Sequence, residues 1–182
     1  MLSASFFLSS NAAAELQRLP LQVNLNTVET LAPLTSSPER CALGTDAFSI
    51  GMTGGSGTVT ITTGLSPKLV TIPVVLGASD CPTQKFSFSD GKFVLYAANG
   101  SILVATYFGA FGPTFAIVPS DSKFAIGGGT GFFSGASGSG TLGGGITIVS
   151  QAPFLGTGTL SGTGTISFSS SAFEKHFNIV RN

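Results

Sequence analysis

The segment Gly127-Gly128-Gly129-Thr130-Gly131-Phe132-Phe133 and its continuation constrain this chain most, with glycine at 127, 128, 129, 131, 135, 138, 140, 143, 144 and 145 and a second Gly-Thr series over 156–165. So many glycines within alternating Thr-Leu and Thr-Ile pairs do not suit a helix, where each costs about 1 kcal/mol relative to alanine. In strands, glycine marks bulges, sharp bends at barrel corners and places where two backbones approach closely. A phosphate-binding loop is the competing reading of such a run. It fails because no Gly-Lys-Ser/Thr follows and the downstream residues lack helical periodicity.

The remainder of the chain is punctuated in the same way. From Phe48 onward, short β-branched or aromatic runs alternate with Gly, Pro, Asp and Ser, the pattern of an all-β domain. The runs predict strands over 48–52, 58–62, 69–76, 85–89, 92–98, 101–108, 114–118, 123–126, 132–142, 146–150 and 156–168. Helical periodicity is confined to 12–19 and 172–177. Residues 15–45, with Pro20, Pro33 and Pro38, read as an arm in which Leu21, Val23 and Leu25 alternate as one strand. The expected organisation is therefore 1–14 as the remnant of a signal peptide, 15–45 as a proline-containing N-terminal arm and 46–182 as the barrel domain.

Composition narrows the function classes. Charged residues make up 9% of the 182, the formal net charge is zero, and no basic run with interleaved aromatics exists, so the electrostatic footprint of a nucleic-acid binder is missing. A near-neutral surface favours self-association, which predicts a homo-oligomer. No apolar stretch of transmembrane-helix length occurs, and the chain has no Trp and only Tyr96 and Tyr107 to supply the aromatic girdles of a membrane barrel. Leu2 to Leu8 followed by Ala12-Ala13-Ala14 fits the end of a secretory signal, which predicts a secreted, periplasmic or extracellular protein. Cys41 and Cys81 are the only cysteines. They are expected to form a disulfide in an oxidising compartment, the alternative being two separate buried thiols, and with one His in the chain they make no zinc site. No cofactor or metal is expected.

The dipeptide Asn99-Gly100 predicts a hairpin with a two-residue type I′ loop. That register places Lys92, Val94, Tyr96, Leu103, Ala105 and Tyr107 on one side of the ribbon and Phe93, Leu95, Ala97, Ile102, Val104 and Thr106 on the other. A ribbon apolar on both faces is normally covered on both, as in a barrel wall that packs against a neighbour. Lys92, Tyr96 and Tyr107 form the candidate ligand-binding set, because an ammonium and two phenols on an apolar wall can orient a ligand. The alternative is that the wholly apolar face points inward and these three lie outside.

Around the glycine segment, Gly128, Gly129, Thr130, Gly131, Phe133, Ala136 and Gly138 match the pattern Gly-Gly-Thr-Gly-x-Phe-x-x-Ala-x-Gly, and the chain resembles the dirigent proteins and, more loosely, the allene oxide cyclase family. Similar segments occur in uncharacterised secreted bacterial proteins, and the resemblance covers roughly 86–142. It implies an eight-stranded antiparallel barrel, commonly trimeric, with an apolar cavity in which a reactive intermediate is held for stereoselective coupling or cyclisation. The acidic residues that those families use lie outside the matching segment and carry over to no position here.

Other titratable residues point to no catalytic set. His176, beside Glu174 and Lys175, reads as a solvated terminal residue, Asp80, Asp90 and Asp121 as turn residues bonding nearby amides, and Glu29 and Asp46, which could reach a barrel mouth but lack a paired acid–base spacing, as solvent-facing. The leading expectation is a secreted barrel module that binds a small apolar ligand or serves an assembly role without chemistry of its own. The alternatives are a dirigent-like or cyclase-like enzyme and a structural surface or fibre protein. An apolar cavity with an inward carboxylate or phenol favours the enzyme, and an interior packed solid with Phe and Leu excludes it.

Overall fold

The computed structural model describes residues 17–34, 41, 46–64 and 69–168. They form a closed antiparallel barrel of eight strands in simple sequential order: β1 (Gln17–Pro33), β2 (Ser49–Thr62), β3 (Leu69–Pro82), β4 (Ser87–Ala97), β5 (Ile102–Ala110), β6 (Lys123–Thr130), β7 (Ser137–Gln151) and β8 (Phe154–Phe168). The expected all-β, eight-stranded antiparallel barrel is thus the fold observed. Among the described residues no helix is long and apolar enough to cross a membrane.

Three differences from the sequence reading have physical causes. First, the 15–45 segment contains β1, a full barrel member that pairs with β2 from Leu21↔Ile61 to Pro33↔Ser49 and with β8 from Gln17↔Phe168 to Thr30↔Leu155, closing the barrel. Pro20 and Pro33 fall at the ends of this strand, where a missing N–H matters least. Secondly, several short runs merge. Residues 48–52 and 58–62 belong to one strand, β2, and 132–142 and 146–150 both contribute to β7. The intervening glycines are not breaks: a Cβ at Gly57 would collide with the Asn24 carbonyl and one at Gly144 with the Thr159 carbonyl, so glycine lets neighbouring strands close up there. Thirdly, 114–118 supplies only isolated bridges at Ala116 and Ile117 instead of a strand. The helical periodicities at 12–19 and 172–177 lie almost wholly outside the described residues, as do the signal-peptide segment and His176.

The hairpin at Asn99-Gly100 differs by one residue from its expected register. Tyr96 pairs with Ile102, Leu95 with Leu103, Val94 with Val104 and Gly91 with Tyr107. The loop is Ala98-Asn99-Gly100: the Gly100 N–H donates to the Ala97 carbonyl and Ala97 N–H to the Ser101 carbonyl. Only Gly100 within it has positive φ, at 80°, which is a three-residue turn closed by a glycine bulge and not a type I′ turn. Asn99 Oδ1 accepts from the Ser101 N–H at 3.0 Å, tightening it. A one-residue slip exchanges the faces of a strand. Leu103, Ala105 and Tyr107 therefore join Phe93, Leu95 and Ala97 on the inner side, while Ile102, Val104 and Thr106 turn outward beside Lys92, Val94 and Tyr96.

The glycine motif closes one end of the barrel. Gly131, with φ of 57°, starts a single 3-10 turn over Gly131–Phe133, and the Phe132 N–H donates to Ser101 Oγ at 2.9 Å. A Cβ at Gly131 would lie 2.5 Å from that hydroxyl, so glycine is required twice, for φ and for space. The turn drives Phe133, fully buried, and Ala136 into the base, where Phe132 meets Phe133 and Phe168 edge-on. Leu21, Ile61, Leu95, Leu103 and Ile166 complete a closed apolar base.

Cys41 and Cys81 are joined by a disulfide, which resolves the two readings of the pair in favour of the bridge. It anchors the 34–48 connection to the end of β3, away from the base, and packs with Ile50 in a small satellite cluster.

Candidate active site

Alternation along the strands determines what reaches the interior. In β1 the inward row runs Leu19, Leu21, Val23, Leu25, Thr27 and then Glu29; in β3 it runs Ile72, Val74, Leu76, Ala78 and then Asp80. In β5 it is Leu103, Ala105 and Tyr107. Each row is apolar toward the base and turns polar at the opposite end, so Glu29, Asp80 and Tyr107 converge near one mouth of the barrel.

They line a chamber of about 40 Å³ together with Thr27, Thr53, Ala78 and Thr159, walled also by Phe88, Phe93, Phe111 and Leu142. Below it, Phe93, Leu142 and Leu160 separate it from a void of about 20 Å³ in the apolar core. Above it opens a vestibule of about 320 Å³ walled by Phe48, Phe86, Phe111, Phe115 and Phe154. Glu29, Phe111 and Ile146 border both spaces and so mark their junction.

Two β-bulges and two glycines make the geometry. The β3–β4 register shifts between Ser79 and Cys81, and here Asp80 and Cys81 are both buried in succession. The β4–β5 register shifts between Phe88 and Gly91, with Asp90 at φ 50°. Bulges re-aim side chains in this way at barrel rims. The Tyr107 ring lies over Gly91, where a Cβ would come within 2.7 Å of it, and is flanked by Phe88 and Phe93 at centroid distances of 5.8 and 6.0 Å. Its hydroxyl donates to Asp80 Oδ2 at 2.8 Å. Asp80 in turn occupies the space over Gly51, since a Cβ there would collide with its carboxylate.

The electrostatics follow from burial. Desolvation, and secondarily the negative charge of Asp80, raise the Glu29 carboxyl from 4.5 to about 7. Glu29 therefore holds a proton that is exchangeable near neutrality, inside an apolar enclosure and next to a phenol–carboxylate pair. Such a group can serve as a general acid or base. No group of three His, Cys, Asp or Glu able to hold a metal ion occurs among the described residues.

Of the three residues expected to bind ligand, only Tyr107 is inside. Lys92 and Tyr96 are exposed on the outer wall of β4, because the hairpin register puts them opposite the inward row. Glu29 and Asp80 are the residues that sequence reasoning missed. Glu29 was expected to face solvent and Asp80 to sit in a turn, but both are the next inward positions of rows begun by Leu21-x-Val23-x-Leu25 and Ile72-x-Val74-x-Leu76; extending each i, i+2 series past its last aliphatic residue finds them. Asp121 does lie in an exposed turn, accepting from Ser120 Oγ at 3.0 Å, and Asp46 forms an exposed ion pair with Lys85 at 3.0 Å.

Fold and site together define a closed β-barrel with an aromatic vestibule leading to a small acidic and phenolic chamber. No family model and no curated protein matches the chain, so its chemistry rests on this geometry.

Proposed function

We propose that the protein is a small-molecule enzyme of the cyclase or isomerase type, which holds an apolar substrate in the vestibule and acts on it by proton transfer from Glu29. The observation that carries this reading is the Glu29 carboxyl, with a pKa raised to about 7, at the junction of an aromatic vestibule with the chamber containing the Tyr107–Asp80 pair. A carboxyl that keeps its proton until about pH 7 is available as a general acid near neutrality, where the same group in bulk water, with its ordinary value of 4.5, is ionised. The enclosure also restricts the conformations from which the substrate reacts. The resemblance of Gly128 to Gly138 to dirigent and allene oxide cyclase barrels supports the same reaction class.

The test uses a probe ketone, 4-phenylbutan-2-one, in deuterated buffer. Acid–base catalysis accelerates exchange of its α-hydrogens, and Glu29→Gln abolishes the acceleration. Binding without any acceleration leaves the alternative, a ligand-binding barrel without chemistry.

We further propose that the protein is exported and self-associates. The disulfide and the Ala12-Ala13-Ala14 segment support export. Self-association is supported by the outward apolar residues of five consecutive strands, Val28, Met52, Val75, Tyr96, Val104 and Phe108, each more than 40% exposed. Light scattering distinguishes a discrete trimer from a monomer or an open filament.

A further inference from the structure

The two adjoining spaces differ in size and chemistry, and the difference dictates how a ligand can lie in them. The vestibule, about 320 Å³, accommodates a ring system or a branched hydrocarbon against five phenylalanines. The inner chamber, about 40 Å³, has room for only about two or three heavy atoms. Its polar lining is Thr27, Glu29, Thr53, Asp80, Tyr107 and Thr159. A ligand that fills both must therefore enter with a small polar end foremost and leave its apolar body in the vestibule.

Charge then selects among polar ends. Among the described residues, neither space has a Lys, Arg or His in its lining. The cation nearest in sequence to the vestibule wall, Lys85, is exposed and engaged by Asp46, and Lys92 lies on the outer wall. A carboxylate or phosphate pushed into the chamber would meet Asp80 and Glu29 with no countercharge and would lose its hydration. An uncharged oxygen that accepts a hydrogen bond meets the Glu29 carboxyl instead.

We propose that the substrate is an uncharged molecule with one compact oxygen acceptor, a carbonyl, on a bulky aromatic or branched hydrocarbon body, that it binds oxygen-first, and that the site rejects the isosteric carboxylate. This assignment rests on the proton-transfer reading above in taking Glu29 as the donor. It also sets a pH dependence for binding. Affinity for the neutral ligand falls as Glu29 loses its proton. The titratable groups facing Glu29 are Asp80 from β3 and Tyr107 from β5, while the neighbouring strands present the neutral Thr53, Leu142, Ile146 and Leu160.

Isothermal titration at pH 6 with 4-phenylbutan-2-one and with 3-phenylpropanoate, in which a carboxylate oxygen takes the place of the ketone's methyl group on the same phenylethyl body, tests the assignment. The expected result is at least tenfold tighter binding of the ketone, with its isotope-edited carbonyl stretch lowered on binding. Ala78→Leu, which fills the inner chamber and leaves the vestibule walls in place, should remove both effects. Carboxylate binding equal to or tighter than that of the ketone overturns the proposal, as does ketone binding unchanged in a folded Ala78→Leu variant. The wild-type comparison stands even where the variant does not fold. Ketone selectivity without α-hydrogen exchange removes the catalytic reading and keeps the binding assignment; Glu29-dependent exchange without selectivity does the reverse.

Discussion

The Tyr107 hydroxyl donates to Asp80 Oδ2 at 2.8 Å, reaching from β5 to β3 across the one inward position of β4 that has no side chain, Gly91. The phenol thus ties together two strands that do not pair with each other. Removing it in Tyr107→Phe keeps the ring between Phe88 and Phe93 and takes away one donor to a buried carboxylate. A hydrogen bond to a charged group contributes about 1.5–3 kcal/mol, so urea denaturation should show a loss of about 2 kcal/mol with an unchanged m-value.

Gly91 makes room for that ring. A Cβ there would lie 2.5 Å from the Tyr107 carbonyl oxygen and 2.7 Å from the ring carbons, and overpacking of this kind costs about 1–3 kcal/mol. Gly91→Ala should be destabilised by that amount and should lose affinity for the ketone probe, measured by titration calorimetry, because the displaced phenol moves into a chamber of only about 40 Å³.

Glu29 makes stability fall as pH rises. Its carboxyl binds a proton more tightly in the folded chain, at about 7, than at its ordinary value of 4.5, so between those values the native state holds more protons than the unfolded one. Stability is then greatest below about pH 4.5 as far as this group is concerned, and is lost progressively until pH passes about 7. The full shift corresponds to about 3 kcal/mol, and the partial exposure of Glu29 reduces the expected effect to about 2 kcal/mol. Glu29→Gln should flatten the pH dependence and stabilise the protein at pH 8, as read by calorimetric melting temperature.

The Cys41–Cys81 bridge closes a loop of 40 residues. In the chain-entropy account such a cross-link stabilises by about 4 kcal/mol. For a chain of this size that is about 8–16 °C in melting temperature, and the double Cys41→Ser, Cys81→Ser variant should melt lower by that margin. Because Cys81 adjoins Asp80, the same variant should bind the ketone less tightly than the parent at a temperature where both are folded.

Much of the architecture was legible from local pattern. Period-two alternation, the glycine punctuation and the Gly128–Gly138 segment point to a closed antiparallel barrel because a sheet so rich in glycine and so poor in charge must bury its apolar rows against itself. The Cys41–Cys81 bridge was legible too, since two cysteines in a chain with an export signal are expected to pair. The site was less so. The expected strand over 69–76 stops before Asp80, and Leu21-x-Val23-x-Leu25 was read without its continuation to Glu29, since a carboxylate at the end of an aliphatic series looks like the start of a loop.

The hairpin shows where sequence alone stops. Asn99-Gly100 determines that the chain reverses there, because glycine supplies the positive φ that either turn needs. It does not determine whether two or three residues form the loop. Tertiary structure decided that, by burying Leu103, Ala105 and Tyr107 on the same side as Phe93, Leu95 and Ala97, where the two-residue loop would have put Tyr107 on the same face as Lys92 and Tyr96. The sequence by itself determined an all-β chain with a reversal at Gly100 and a glycine segment suited to tight barrel geometry. Only closure of the barrel decided that Tyr107 faces inward, that Glu29 and Asp80 meet it, and that Lys92 and Tyr96 remain in water, because strand faces are assigned by pairing partners distant in the chain.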